Sequence, residues 1–113
     1  MRQSIHKLLL SVLILVFTSS VALAAEIQVI TSGAFAEALK SLVPEYEKKS
    51  PNKVVISYGS SMGTATDSIP SRLARGEKFD VLILAGPALE EFIKSGAVQP
   101  GTRVDLVASV MGA

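Results

Sequence analysis

The 113-residue sequence predicts an α/β fold, a three-layer lobe around a mostly parallel sheet. Two observations predict it. Strand-type and helix-type segments alternate in the order βαβαβα, with a further strand-like run begun near the end, the pattern of parallel strands joined by right-handed crossovers. The strand-type runs are also short and apolar, as in Val54-Val55-Ile56 and Val81-Leu82-Ile83-Leu84, which is how strands covered on both faces read.

Before the first strand lies a different kind of segment. Arg2, His6 and Lys7 give a positive start, and Leu8 to Phe17 is apolar apart from Ser11. A small, polar stretch follows and ends in Ala22-Leu23-Ala24-Ala25, with Ala22 and Ala24 at the small-residue positions that a signal peptidase reads. The apolar run is about 10 residues, against the roughly 20 needed to cross a bilayer. Residues 1–24 are therefore expected to be a signal peptide cleaved before Ala25, placing the chain in the periplasm.

Glu26 to Ile30 alternates polar and apolar and reads as the first strand. Thr31-Ser32-Gly33-Ala34 breaks it. Phe35, Leu39, Leu42, Val43 and Tyr46 then recur at helical spacing, with Phe35 and Tyr46 expected in the core. Pro44 predicts a kink or an early stop in that helix. Val54 to Tyr58 is the second strand, and Gly59-Ser60-Ser61-Met62-Gly63-Thr64 a small-residue loop. A short helix is expected from a cap at Asp67 or Ser68, with Pro70 in its first turn, to Arg75 and a closing Gly76. Phe79 to Leu84 is the third strand. Pro87 opens a helix to Lys94 that ends at Gly96. Asp105 to Val110 reads as a fourth strand just begun, and a chain that stops inside it is expected to be a truncated lobe.

Composition removes several functions. From Ala25 onward nine Lys and Arg face ten Asp and Glu, without a basic block, so nucleic acid and anionic membranes are not expected as partners. That segment has no Cys, His or Trp, since His6 is the only histidine. Thiolate chemistry, Cys-based zinc sites and the usual neutral-pH general base go with them, so neither an enzyme nor a cofactor nor a metal is expected. Walker A, G-x-G-x-x-G and EF-hand patterns are lacking as well.

In open α/β sheets, ligands sit beyond the carboxyl ends of the strands. Two loops fall there, one holding Thr31, Ser32, Gly33 and Ala34, the other Ser60 and Ser61. Hydroxyls, small residues and a following helix N-terminus suit an anion. The same Ser and Gly residues also serve as ordinary turn residues that satisfy their own backbone. Gly59-Ser60-Ser61-Met62-Gly63 further matches G-x-S-x-G, which would make Ser61 the nucleophile of a secreted serine hydrolase if a histidine were supplied. Asp80, at the start of the third strand, reads as a local cap in preference to a cation ligand.

Taken together, the stretches Ile27 to Phe35, Tyr58 to Gly63 and Arg72 to Leu84 resemble the periplasmic molybdate-binding proteins of ABC transporters and the wider group of extracellular solute-binding proteins. The resemblance spans residues 27 to 111. It implies a periplasmic-binding-protein-like fold of two lobes, with residues 25–113 as the first part of lobe 1. It also implies a small molybdate-like oxyanion held near Thr31, Ser32, Gly33, Ala34, Ser60 and Ser61, a monomer, and delivery to a permease in the inner membrane. Two features depart from the molybdate type. Ala34 stands where a ligand-contacting serine is usual, and the stretch from Tyr58 to Gly76 is longer, carrying Thr64-Ala65-Thr66-Asp67.

Overall fold

A computed structural model describes residues 23–108. The expected signal peptide falls almost wholly on residues 1–22 and the end of the expected fourth strand on residues 109–113, both outside the described residues. Three strands, β1 (Glu26–Thr31), β2 (Lys53–Tyr58) and β3 (Val81–Ile83), form one parallel sheet in the order β2-β1-β3. Three helices connect or follow them: α1 (Gly33–Lys49), α2 (Ile69–Ala74) and α3 (Gly86–Lys94). Going from β1 to β2 the chain moves one way along the sheet, and from β2 to β3 it jumps back across β1. Right-handed crossovers then put α1 and α2 on opposite faces, which makes three layers. The expected α/β fold class is the observed one.

The core gathers on the central strand. Val29, Ile30 and Thr31 of β1 are buried, joined by Ala36 of α1, Ile69 of α2 and Ala88 of α3. β1 earns this burial because it has a neighbour on each side and a helix layer on each face. Gly59 lets the chain fold back after β2. A Cβ there would stand 2.5 Å from the Asp67 carbonyl oxygen, so only glycine fits without a shift. The fold-back is fastened by Ile69 N–H donating to the Ser60 carbonyl at 2.9 Å.

Four expectations change. β3 is half the length expected, because its ladder with β1 runs only from Val29↔Val81 to Thr31↔Ile83. α1 does not stop at Pro44 but continues to Lys49, the ring replacing one N–H in a helix that is exposed at that point. Tyr46 is 41% exposed and not core, its hydroxyl accepting from Asn52 Nδ2 at 3.0 Å. The fourth strand does not form over Asp105 to Ala108; among the described residues no strand pairs with that segment, and Val104, Leu106 and Val107 stay exposed. Among the described residues no helix is long and apolar enough to cross a membrane.

Candidate functional site

The carboxyl ends of all three strands open onto one cleft of about 1140 Å³. β1 contributes Ser32, Gly33 and Ala34, β2 contributes Ser60 and Ser61, and the turn after β3 contributes Ala85 and Gly86. The position follows from topology. Strand order reverses between β1 and β3, so the chains leaving those strands diverge and leave a crevice.

Each loop is held by the backbone. Ser32 N–H donates to the Ile83 carbonyl at 2.9 Å, and its own carbonyl accepts from the Thr31 hydroxyl at 3.0 Å. The Ser32 side chain is the N-cap of α1 yet makes no capping bond. At α2 the opposite holds, since Ser68 is fully buried and its Oγ accepts from Ser71 N–H. The α3 N-cap is Ala85, which has no side-chain acceptor to offer. The two helices that begin at the cleft therefore leave first-turn N–H groups without a side-chain cap, while α2 closes its own end. Neither α1 nor α3 has an acidic residue in its first turn. This combination favours negative charge in the cleft.

Of the six residues expected at a site, five line this cleft and Thr31 does not. Thr31 is fully buried beneath it, its hydroxyl spent on the Ser32 carbonyl. Gly33, Ala34 and Ser60 are exposed, Ser32 and Ser61 half-buried. Ser60 Oγ donates to the Met62 carbonyl at 2.9 Å. Ser61 Oγ accepts the Ala85 N–H at 3.0 Å, leaving its proton to be donated.

That geometry gives no footing to the hydrolase reading. A nucleophile elbow is a sharp, strained strand-to-helix turn with a histidine base. Here ten residues separate β2 from α2, no non-glycine residue among the described ones has positive φ, and the only histidine, His6, lies outside the described residues. The match to G-x-S-x-G is one of letters. Asp80 plays a structural part as its sequence context indicates. Its Oδ2 accepts Gln28 N–H at 2.8 Å while its own N–H donates to the Gln28 carbonyl, extending the β1–β3 ladder by a step. No group of three metal-ligating side chains occurs among the described residues.

One cleft residue was not legible beforehand. Arg103 reaches the cleft from the segment after α3, donating to Asp105 Oδ1 at 2.9 Å through Nε and to Glu90 through Nη1. The Asp105 hydrogen bond, with its charge, raises the Arg103 pKa further above its ordinary value, so the guanidinium stays charged. No local motif marks an arginine whose role depends on a chain reversal ten or more residues away.

A curated relative, named aconitate isomerase, from Pseudomonas sp, is 40% identical over 78 residues. The match covers 69% of this chain and 30% of that protein, so the chain spans less than a third of the relative's length. No solved structure matches. The family model described as bacterial extracellular solute-binding protein matches residues 27–113, from the first strand through the cleft, and the chain belongs to that family.

Proposed function

We propose that the chain supplies one wall of a periplasmic solute-binding protein whose cleft captures a small oxyanion such as molybdate for an ABC transporter. The observation that carries this reading is the pair of uncapped helix starts, α1 and α3, meeting at one cleft with the hydroxyls of Ser32 and Ser61. Hydroxyls and backbone N–H groups donate, and the helix dipoles add partial positive charge without a counter-ion. In this reading residues 1–24 direct export and are removed before Ala25. Residues 25–113 form the first part of lobe 1, and a second lobe closes over the anion by hinge motion before delivery to an inner-membrane permease. The working protein is a monomer that binds its solute without transforming it.

A second reading keeps the site and changes the anion to an organic carboxylate. Two observations favour it: the relative's name refers to aconitate, and Leu84, Leu89 and Leu106 give the cleft an apolar side that a carbon skeleton can cover. Thermal unfolding of the full-length natural protein with molybdate, tungstate, sulfate or trans-aconitate separates the two. A ligand at a hundredfold excess over its Kd stabilises by ~2.7 kcal/mol. If none of the four anions raises the Tm, anion capture is lost as a function.

A further inference from the structure

We infer that Arg103 is the specificity-determining residue of the cleft, and that it selects a carboxylate on an organic anion by exchanging it for Asp105. The inference rests on the anion-binding reading above and adds the residue that recognises the solute and the solute's class.

Among the described residues that line the cleft, Arg103 is the one carrying a positive charge. Its guanidinium is divided three ways. Nε holds Asp105 at 2.9 Å, Nη1 holds Glu90, and Nη2 faces Gly86, where a Cβ would come within 3.3 Å of it. Gly86 is thus small where the arginine must lie close to the start of α3.

The partners hold it unequally. Glu90 belongs to α3 and is anchored by a helix. Asp105 is two residues along a segment without helix or strand, and its side chain is 78% exposed. An exposed pair between near neighbours in an irregular segment contributes little, because water screens both charges. Asp105 is also a carboxylate, so it occupies the guanidinium as a ligand carboxylate would. A solute carboxylate entering the cleft can take its place without leaving any charge unpaired, because Asp105 swings to water and Glu90 stays. The planar fork of arginine fits two carboxylate oxygens side by side, a geometry that lysine cannot offer.

The remaining lining selects the organic part. Leu84, Leu89, Val104 and Leu106 give the cleft an apolar side. A tetrahedral oxyanion, polar all round, gains nothing from such a wall, whereas the carbon skeleton of a carboxylic acid does.

Calorimetric titration of the full-length natural protein and its variants with citrate and with molybdate tests this. Citrate is expected to bind the unaltered protein. Arg103→Ala should weaken it roughly 10- to 100-fold, the range for losing a charge-assisted hydrogen bond. Arg103→Lys should recover little of that loss, and Asp105→Asn, which removes the competing carboxylate, should tighten binding. Circular dichroism and Tm show that the variants fold; Arg103 lies outside every helix and strand, so they are expected to match the unaltered protein. Binding of molybdate but not citrate overturns the inference and leaves anion capture standing, while binding of neither overturns both. Unchanged citrate affinity in Arg103→Ala, or an Asp105→Asn loss equal to that of Arg103→Ala, also overturns it.

Discussion

The hydroxyl oxygen of Ser61 accepts the backbone N–H of Ala85 at 3.0 Å, stitching the loop after β2 to the start of α3. The bond fixes one edge of the cleft with a side chain that also lines it. Ser61→Ala should therefore act on both stability and binding. Ala85 is exposed, so water can replace the lost acceptor, and the stability cost is expected near the lower end of about 0.5–1.5 kcal/mol. Ligand affinity should fall further than that, since the variant also lacks a donor. A serine-reactive phosphonate should label neither protein, because no base among the described residues takes the Ser61 proton.

Two glycines in the same region should answer to alanine with opposite signs. At Gly59 a Cβ meets the Asp67 carbonyl oxygen at 2.5 Å, and backbone cannot move aside as a flexible side chain would. Gly59→Ala is expected to destabilise by about 1–3 kcal/mol, the range for forced overpacking. At Gly33 a Cβ meets nothing within 4 Å, and the residue begins a helix with an ordinary negative φ. Gly33→Ala should stabilise by about 0.4–1 kcal/mol through the unfolded chain. The methyl would nonetheless stand at the cleft lining and weaken anion binding. Urea unfolding together with ligand titration separates the two effects.

These outcomes reflect which features of the molecule are local. Strand and helix positions were legible because each depends on near neighbours: the Ser68 cap and Pro70 announce α2, and Gly76 and Gly96 close their helices with φ of 85° and 82°. β1 as the central strand was not written in its own alternation, which looks half-exposed; burial of Ile30 and Thr31 follows from the jump from β2 back across β1. Tyr46 misled because helical spacing tells which face a residue shares, and not how far the sheet beneath it extends. At the cleft, the place of Ser32 and Ser61 in loops at one sheet edge was legible. Thr31 was displaced by strand parity: one residue earlier on β1, it lies buried below the cleft. Arg103 depended on the path of the chain after α3, which no motif encodes.

The contrast between Ser32 and Ser68 gives a cleaner test of role. Both are N-caps in extended backbone, but only Ser68 makes the capping bond. Ser68→Ala should cost about 1 kcal/mol, typical of a lost cap, and more if the buried hydroxyl's bond to the Gly63 carbonyl counts. Ser32→Ala removes no capping bond and should leave Tm nearly unchanged while lowering affinity for the anion. Equal losses of Tm in the two variants would mean that Ser32 caps α1 in solution and has no hydroxyl to spare for a ligand.

Acid should loosen the far side of the β2–β3 connection through Glu77. Its carboxylate accepts from Arg72 Nε at 3.1 Å and from Arg75 Nη2 at 2.7 Å. The Arg72 hydrogen bond holds the Glu77 carboxyl below its ordinary value of 4.5. A carboxylate depressed in the folded state contributes stability in full above its unfolded value and loses it as pH falls through the folded one. The Tm should therefore be insensitive to Glu77 from neutral pH down to about 4.5, then fall with further acid. Glu77→Gln should lower the Tm slightly at neutral pH and flatten the acid limb. Arg72→Ala should do more harm at neutral pH, because Arg72 also donates to the Tyr58 carbonyl at 3.0 Å and lies over the Phe79 ring at 5.5 Å. If Glu77→Gln keeps the full acid limb, the proton is taken up elsewhere and the two arginines hold the turn without help from the carboxylate's charge.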